Sequence, residues 1–167
     1  MIRYFILLCL LAGLFSVQIT AQERKVETKF VPLDKFDPMR NPFDDLILVV
    51  EEAKQSNRRI LLDVGGEWCI WCHRLDEIIE SNQDLKDYLH SNFVVLKINV
   101  SKENKNEKFL EKYPAVEGYP HLFVLDMNGQ FLHSQNTGDL EAGKGHDKNK
   151  ILEFLKKWSV KREGENK

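Results

Sequence analysis

The sequence predicts an α/β fold, a central mixed sheet flanked by helices. Three observations carry that prediction. Apolar runs at 58–64, 93–100 and 121–125 have the length and composition of strands; stretches with apolar residues three and four apart lie between them; Gly, Pro and Asn punctuate the joins. The chain has 167 residues, 43% of them hydrophobic and 30% charged, which suits one domain with a real core. A formal net charge of −2 gives no basic footprint for nucleic acid.

Residues 1–21 read as a secretory signal peptide. Arg3 precedes an apolar run over 4–15, polarity rises through Ser16, Gln18 and Thr20, and Ala21 offers a small residue just before Glu23, Arg24 and Lys25. The run is shorter than the ~20 residues that span a membrane comfortably, so the expectation is cleavage and a chain soluble after it. Export to a bacterial periplasm is favoured, with the cell exterior or a secretory lumen as alternatives; no Lys-Asp-Glu-Leu-like retention signal ends the sequence. Cys9 would leave with the signal, so Cys69 and Cys72 remain as a single close pair. A small exported protein built on structural bridges would carry several. One pair at this spacing suits chemistry better.

The elements follow in order. Residues 22–41 are polar, broken by Pro32 and Pro38, and read as an extended lead-in; 42–160 form the domain and 161–167 a charged tail. Phe43, Leu46, Ile47, Val50 and Ala53 mark one face of a helix, with Asn41 as N-cap and Pro42 at its first position. Residues 58–64 make a buried strand with one acid, Asp63, ended by Gly65 and Gly66. After the cysteines, Leu75, Ile78 and Ile79 continue at helical spacing to Ser81 and Asn82, and 83–90 form a second helical piece. Residues 93–100 are a strand, 101–107 a solvated loop, and Phe109, Leu110 and Tyr113 a short helix. The strand 121–125 reaches Asn128-Gly129, a tight-hairpin signal, and 131–133 return. A loop with Gly138, Gly143 and Gly145 precedes a last helix carrying Ile151, Leu152, Phe154, Leu155 and Trp158. Strands separated by helices are expected to pair in parallel, with the final hairpin antiparallel.

Cys69-Ile70-Trp71-Cys72-His73 admits three chemistries: a redox dithiol, half of a zinc site, or a c-type haem attachment. The pair stands where a strand ends and a helix begins. Unpaired N–H groups at a helix start favour negative charge, so the Cys69 thiol is expected below the ~8.5 of a free cysteine. Cys69 would then attack a target disulfide and Cys72, one turn inside, would resolve the mixed disulfide. Haem needs a second axial ligand, and Met39, Met127 and the histidines offer no distinguishing context. Zinc needs two more ligands, while His90, His121, His133 and His146 are scattered beyond His73. A purely structural bridge would constrain little chain, because the loop is very small. His73 either supports the thiolate electrostatically or faces solvent.

The run Asp63-Val64-Gly65-Gly66-Glu67-Trp68-Cys69-Ile70-Trp71-Cys72 resembles the thioredoxin family, and Gly118-Tyr119-Pro120 ahead of an apolar strand is similar to that family's cis-proline segment. The resemblance covers about 42–160 and is nearest to exported thioredoxin-like proteins with a Trp-Cys-x-x-Cys-His motif. It implies a thioredoxin-like fold and a thiol-disulfide oxidoreductase with no prosthetic group and no metal. It makes Cys69 the nucleophile, Cys72 the resolving thiol, Asp63 a buried carboxylate that moves the inner thiol's proton, and Lys97 that acid's partner. Pro120 would be cis, freeing the backbone of Tyr119 to pair with an extended client; Trp68 and Trp71 complete the substrate-binding residues. Partners would be cysteine-containing proteins and an upstream redox protein. Ile70-Trp71 replaces the family's common Gly-Pro, and Tyr119 is bulky, so client choice and the direction of electron flow stay open. The alternative is a non-catalytic binding module of the same fold.

Overall fold

The computed structural model describes residues 30–32 and 34–161; the signal expected over 1–21 and nearly all of the tail lie outside the described residues. Helix α1 (Pro42–Ser56) starts as expected: the Asn41 side chain accepts from the Phe43 N–H at 3.1 Å, with Pro42 in the first turn. It ends on Asn57 in the left-handed region, φ 51°. Strand β1 (Arg59–Gly65), α2 (Ile70–Glu80), α3 (Gln83–Asn92), β2 (Phe93–Asn99), the single turn α4 (Glu107–Leu110), β3 (His121–Leu125) and β4 (Phe131–Asn136) follow. A 3-10 turn (Thr137–Leu140), β5 (Glu141–Ala142), β6 (Gly145–His146) and α5 (Lys148–Trp158) complete the chain.

The sheet order is β2-β1-β3-β4. Helices cover both faces, which is why β1 is buried from Ile60 to Gly65 and apolar there except for Asp63. Ile60, Leu62 and Val64 join Val49, Ala53 and Phe109 on one side, while Leu61 points with Leu75, Leu89, Ile151 and Phe154 to the other. Alternation along β1 sends Asp63 to the second side, beneath α2. Among the described residues no helix is long and apolar enough to cross a membrane.

The parallel expectation holds for β1 with β2 and fails for β3. Strand β1 pairs β2 in parallel, with Asp63 opposite Lys97, but pairs β3 antiparallel, with Asp63 opposite Leu122. The connection over 100–120, which holds only the single turn α4, brings the chain back to the end of the sheet where β2 finishes, so β3 runs against β1. The Asn-Gly turn also differs: 126–130 form a longer loop in which Asp126 Oδ1 accepts from the N–H groups of Asn128 and Gln130, both at 2.8 Å, with Gly129 at φ 82°. The glycine-bearing stretch read as loop holds the β5–β6 hairpin, turned through Gly143 at φ 62°.

Candidate active site

The site is assembled where β1 gives way to α2. Cys69 is the N-cap of α2, in extended conformation, and its Sγ accepts from the Cys72 N–H at 3.1 Å. Its carbonyl accepts from the N–H groups of Cys72 and His73, at 3.1 and 3.2 Å. The positive end of an 11-residue helix thus faces the first sulfur. The two cysteines are disulfide-bonded, with Cα atoms 5.2 Å apart, inside the range that a bridge accepts. Their sulfurs are spent on each other.

Both cysteines are buried, Cys69 at 4% exposure and Cys72 at 1%, so Cys69, the expected nucleophile, is less open than its place at a helix mouth suggests. The cause is aromatic cover: Phe36 belongs to the same apolar cluster, and Trp71 and Tyr119 pack against it. Exposure lies on the flanks instead, with Trp68 at 61% and Ile70 at 58%.

Of the four expected substrate-binding residues, Trp71 and Tyr119 pack against the cluster that holds the bridge, and Trp68 packs against Tyr119. Trp68 Nε1 donates to the Val100 carbonyl at 2.6 Å, and its ring meets Tyr119 edge-on, centroids 5.6 Å apart. Tyr119-Pro120 is cis. A cavity of about 560 Å³ opens between Trp68, Tyr119, Val100 and the loop carrying Ser101 and Lys105. On the other flank Trp71 carries the Arg74 guanidinium 4.6 Å over its ring and touches His146 edge-on. His73 turns back to the backbone, its Nε2 2.8 Å from the Glu67 carbonyl oxygen.

A charged trio borders this cluster, the Lys97 ammonium standing 4.3 Å from the centroid of the Phe36 ring. Lys97 Nζ donates to Asp63 Oδ2 at 2.8 Å and to both oxygens of Asp76, at 2.8 and 3.0 Å. The Lys97 and Asp63 side chains are each 8% exposed, that of Asp76 33%. Burial lowers the proton affinity of Lys97, but the charges of Asp63 and Asp76 and their hydrogen bonds outweigh it and raise the ammonium's pKa well above its usual value. Burial, then the Asp63 charge, raise the Asp76 carboxyl against the pull of Lys97. Asp63 Oδ1 is buried without a hydrogen-bond partner, an acceptor left open. One ammonium therefore serves two carboxylates.

Asp76 escaped the sequence reading, although it follows Cys72 by one helical turn on the same face of α2. His146, weighed in the sequence only as one of the scattered histidines, also stands beside the motif, against Trp71. It is 7% exposed, neither ring nitrogen has a partner, and burial lowers its pKa. Among the described residues no three His, Cys, Asp or Glu side chains converge to hold a metal ion.

Gly65 is required by the bridge itself. A Cβ there would stand 2.5 Å from Cys72 Sγ and 3.0 Å from Phe36 Cζ. In the disulfide the sulfur cannot rotate away; as a free thiol it can. Gly65→Ala is expected to destabilise the oxidised form by about 1–3 kcal/mol, as overpacking does, and the reduced form by less. Thermal unfolding of both forms checks this, and equal losses would count against it.

A family model described as Thioredoxin-like matches residues 45–127. A thioredoxin from Rickettsia bellii is 30% identical over 105 residues, 63% of this chain and 86% of that protein. The thiol:disulfide interchange protein DsbD of Pseudomonas sp. (strain JR1 / K1) is 25% identical over 131 residues, 78% of this chain. The chain spans about a fifth of that relative's length, 21%. Among solved structures, the disulphide isomerase from Xylella fastidiosa Temecula1 superposes with a TM-score of 0.64 at 23% identity, over 76% of this chain and 97% of that one, a likeness of fold.

Proposed function

From the premise that the chain belongs to the thioredoxin family, we propose that it is an exported thiol-disulfide oxidoreductase that exchanges disulfides with protein clients through Cys69 and Cys72. The observation that carries this reading is the Cys69–Cys72 bridge at the N-terminus of α2, in an apolar cluster whose Phe36 ring also meets the Lys97 ammonium of the buried Asp63–Lys97 pair.

In the reducing direction the Cys69 thiolate attacks a client disulfide. One client thiolate leaves and a mixed disulfide forms. The Cys72 thiolate then attacks Cys69 Sγ, closes the Cys69–Cys72 bond and releases the second client thiolate, so two electrons pass from the dithiol to the client. Asp63 takes the proton of Cys72, and Lys97 holds that carboxylate in place. Trp68, Trp71, Tyr119 and Pro120 contact the client around the bridge, with the backbone of Tyr119 available for strand-like pairing. The reverse sequence oxidises a client dithiol. An upstream redox protein restores the starting state.

Export rests on the signal-like residues 1–21, and the other partners are cysteine-containing proteins. The domain assignment proposed is a signal over 1–21, a lead-in over 22–41, the thioredoxin-like domain over 42–160 and a tail over 161–167.

A glutathione redox titration followed by tryptophan fluorescence tests the reading, because Trp68 and Trp71 flank the bridge. A reversible two-electron transition is expected, and its midpoint gives the direction of exchange: ~30 mV corresponds to about 1.4 kcal/mol for this couple. A chain that does not cycle between dithiol and disulfide would overturn the proposal.

A further inference from the structure

The sulfurs and the charged trio meet at one side chain, and it lies ahead of the family-matched residues 45–127. Phe36, from the polar lead-in, is 2% exposed and clusters with Cys69 and Cys72. The Lys97 ammonium stands 4.3 Å from the centroid of its ring. The added Cβ that would strike Cys72 Sγ at Gly65 would also lie within 3.0 Å of Phe36 Cζ, so ring and sulfur occupy neighbouring space above the end of β1.

The segment that delivers the ring is fastened at two points. The Phe36 N–H donates to Glu67 Oε1 at 2.8 Å, beside the motif, and Asn104 Nδ2 donates to the Pro38 carbonyl at 2.9 Å. An ammonium has three donors and no acceptor. Its hydrogen bonds go to Asp63 and to both oxygens of Asp76, and the face of an aromatic ring is an electrostatically suitable neighbour for the cation. The ring cannot solvate a thiolate, however. Water that would do so is kept from the space it fills.

We propose that Phe36 is a positioning residue of the exchange reaction, a water-excluding ring that keeps Cys72 protonated until Asp63 takes its proton. The inference rests on the exchange reading above for its purpose. In the step it governs, the S–H bond of Cys72 breaks, the proton passes to Asp63, and the resulting thiolate attacks Cys69 Sγ. The mixed disulfide breaks, the Cys69–Cys72 bond forms, and the electron pair leaves on the client thiolate. Without the ring, hydration would stabilise the Cys72 thiolate and the proton could go to solvent. The charged and titratable groups around the motif are Asp63 on β1, Lys97 on β2, His73, Arg74 and Asp76 on α2, Glu67 in the preceding turn and His146 on β6.

The test titrates one thiol in the full chain carrying Cys9→Ser and Cys69→Ser, by thiolate ultraviolet absorbance. Adding Phe36→Ala is expected to give about tenfold more Cys72 thiolate at a fixed pH, since removing a desolvating neighbour favours the charged form. Phe36→Leu, which retains apolar cover but loses the ring, is expected to give roughly threefold. A purely structural ring would lower the unfolding temperature in both variants and leave the titration where it was; that result overturns the proposal. Should Phe36→Ala not fold, Phe36→Leu decides alone. Failure of the exchange reading shows separately, as a wild-type chain that does not turn over a client disulfide.

Discussion

Cys69→Ser is expected to reduce disulfide turnover to background, whereas Cys72→Ser is expected to retain the first step and stop there. A serine hydroxyl is not ionised near neutral pH, so the helix mouth that stabilises a thiolate at Cys69 has nothing to activate. In Cys72→Ser the first sulfur still attacks, but nothing displaces the client, and mixed disulfides accumulate. The two variants control for each other. Each loses the same bridge, whose small loop is worth about 2 kcal/mol of chain entropy, and each loses it from the same apolar cluster. Their stabilities should therefore fall together while their chemistry diverges. Turnover of an insulin-like disulfide substrate and non-reducing electrophoresis of captured clients check both halves. If both variants keep full biological effect, the protein acts as a thioredoxin-fold binding module and the exchange reading is lost.

The parts legible in the sequence were those written locally. Asn41 before Pro42 announces a helix start, and the structure makes that cap. Asp63 stands as the one acid in its apolar run; its pairing with Lys97 was implied by the family resemblance, and parallel register makes the two opposite neighbours. The parts not legible depend on contacts between distant segments. The direction of β3 follows from which edge β2 ends on, which no local pattern encodes. Phe36 lies in a stretch with no period, and its role comes from Lys97 and Cys72, both far along the chain. Asp76 is the intermediate case. An acid one turn after Cys72, on a helix face that otherwise turns Leu75 and Ile79 inward, could have been read as aimed at Lys97. His146 gave no such signal, because the β5–β6 hairpin that brings it to Trp71 is two residues a side.

Lys97→Met should destabilise the fold by about 3–5 kcal/mol near neutral pH, the cost of removing one partner from a buried pair. Methionine retains much of the length and apolar stem of lysine, so most of the loss is charge. What remains is Asp63 and Asp76 with no ammonium between them, one carboxylate 8% exposed and the other 33%. Two signatures separate this from lost packing. In the wild type the folded-state pKa of Lys97 is raised above the usual 10.5; its contribution is complete below that value and declines as pH rises through the folded one. The variant should lack that alkaline loss. At the acid end the two unpaired carboxylates should hold a proton more tightly in the folded chain than in the unfolded one, so the variant's stability should recover as pH falls from neutrality. Asp63→Asn in the same chain should lessen the damage by removing one of the facing charges, a coupling that a double-mutant cycle reads directly. Denaturant unfolding between acid and alkaline pH checks each part. A Lys97→Met chain whose stability tracks the wild type across that range would mean that the ammonium does not hold the two carboxylates together, and with it the proposed anchoring of Asp63 would fail.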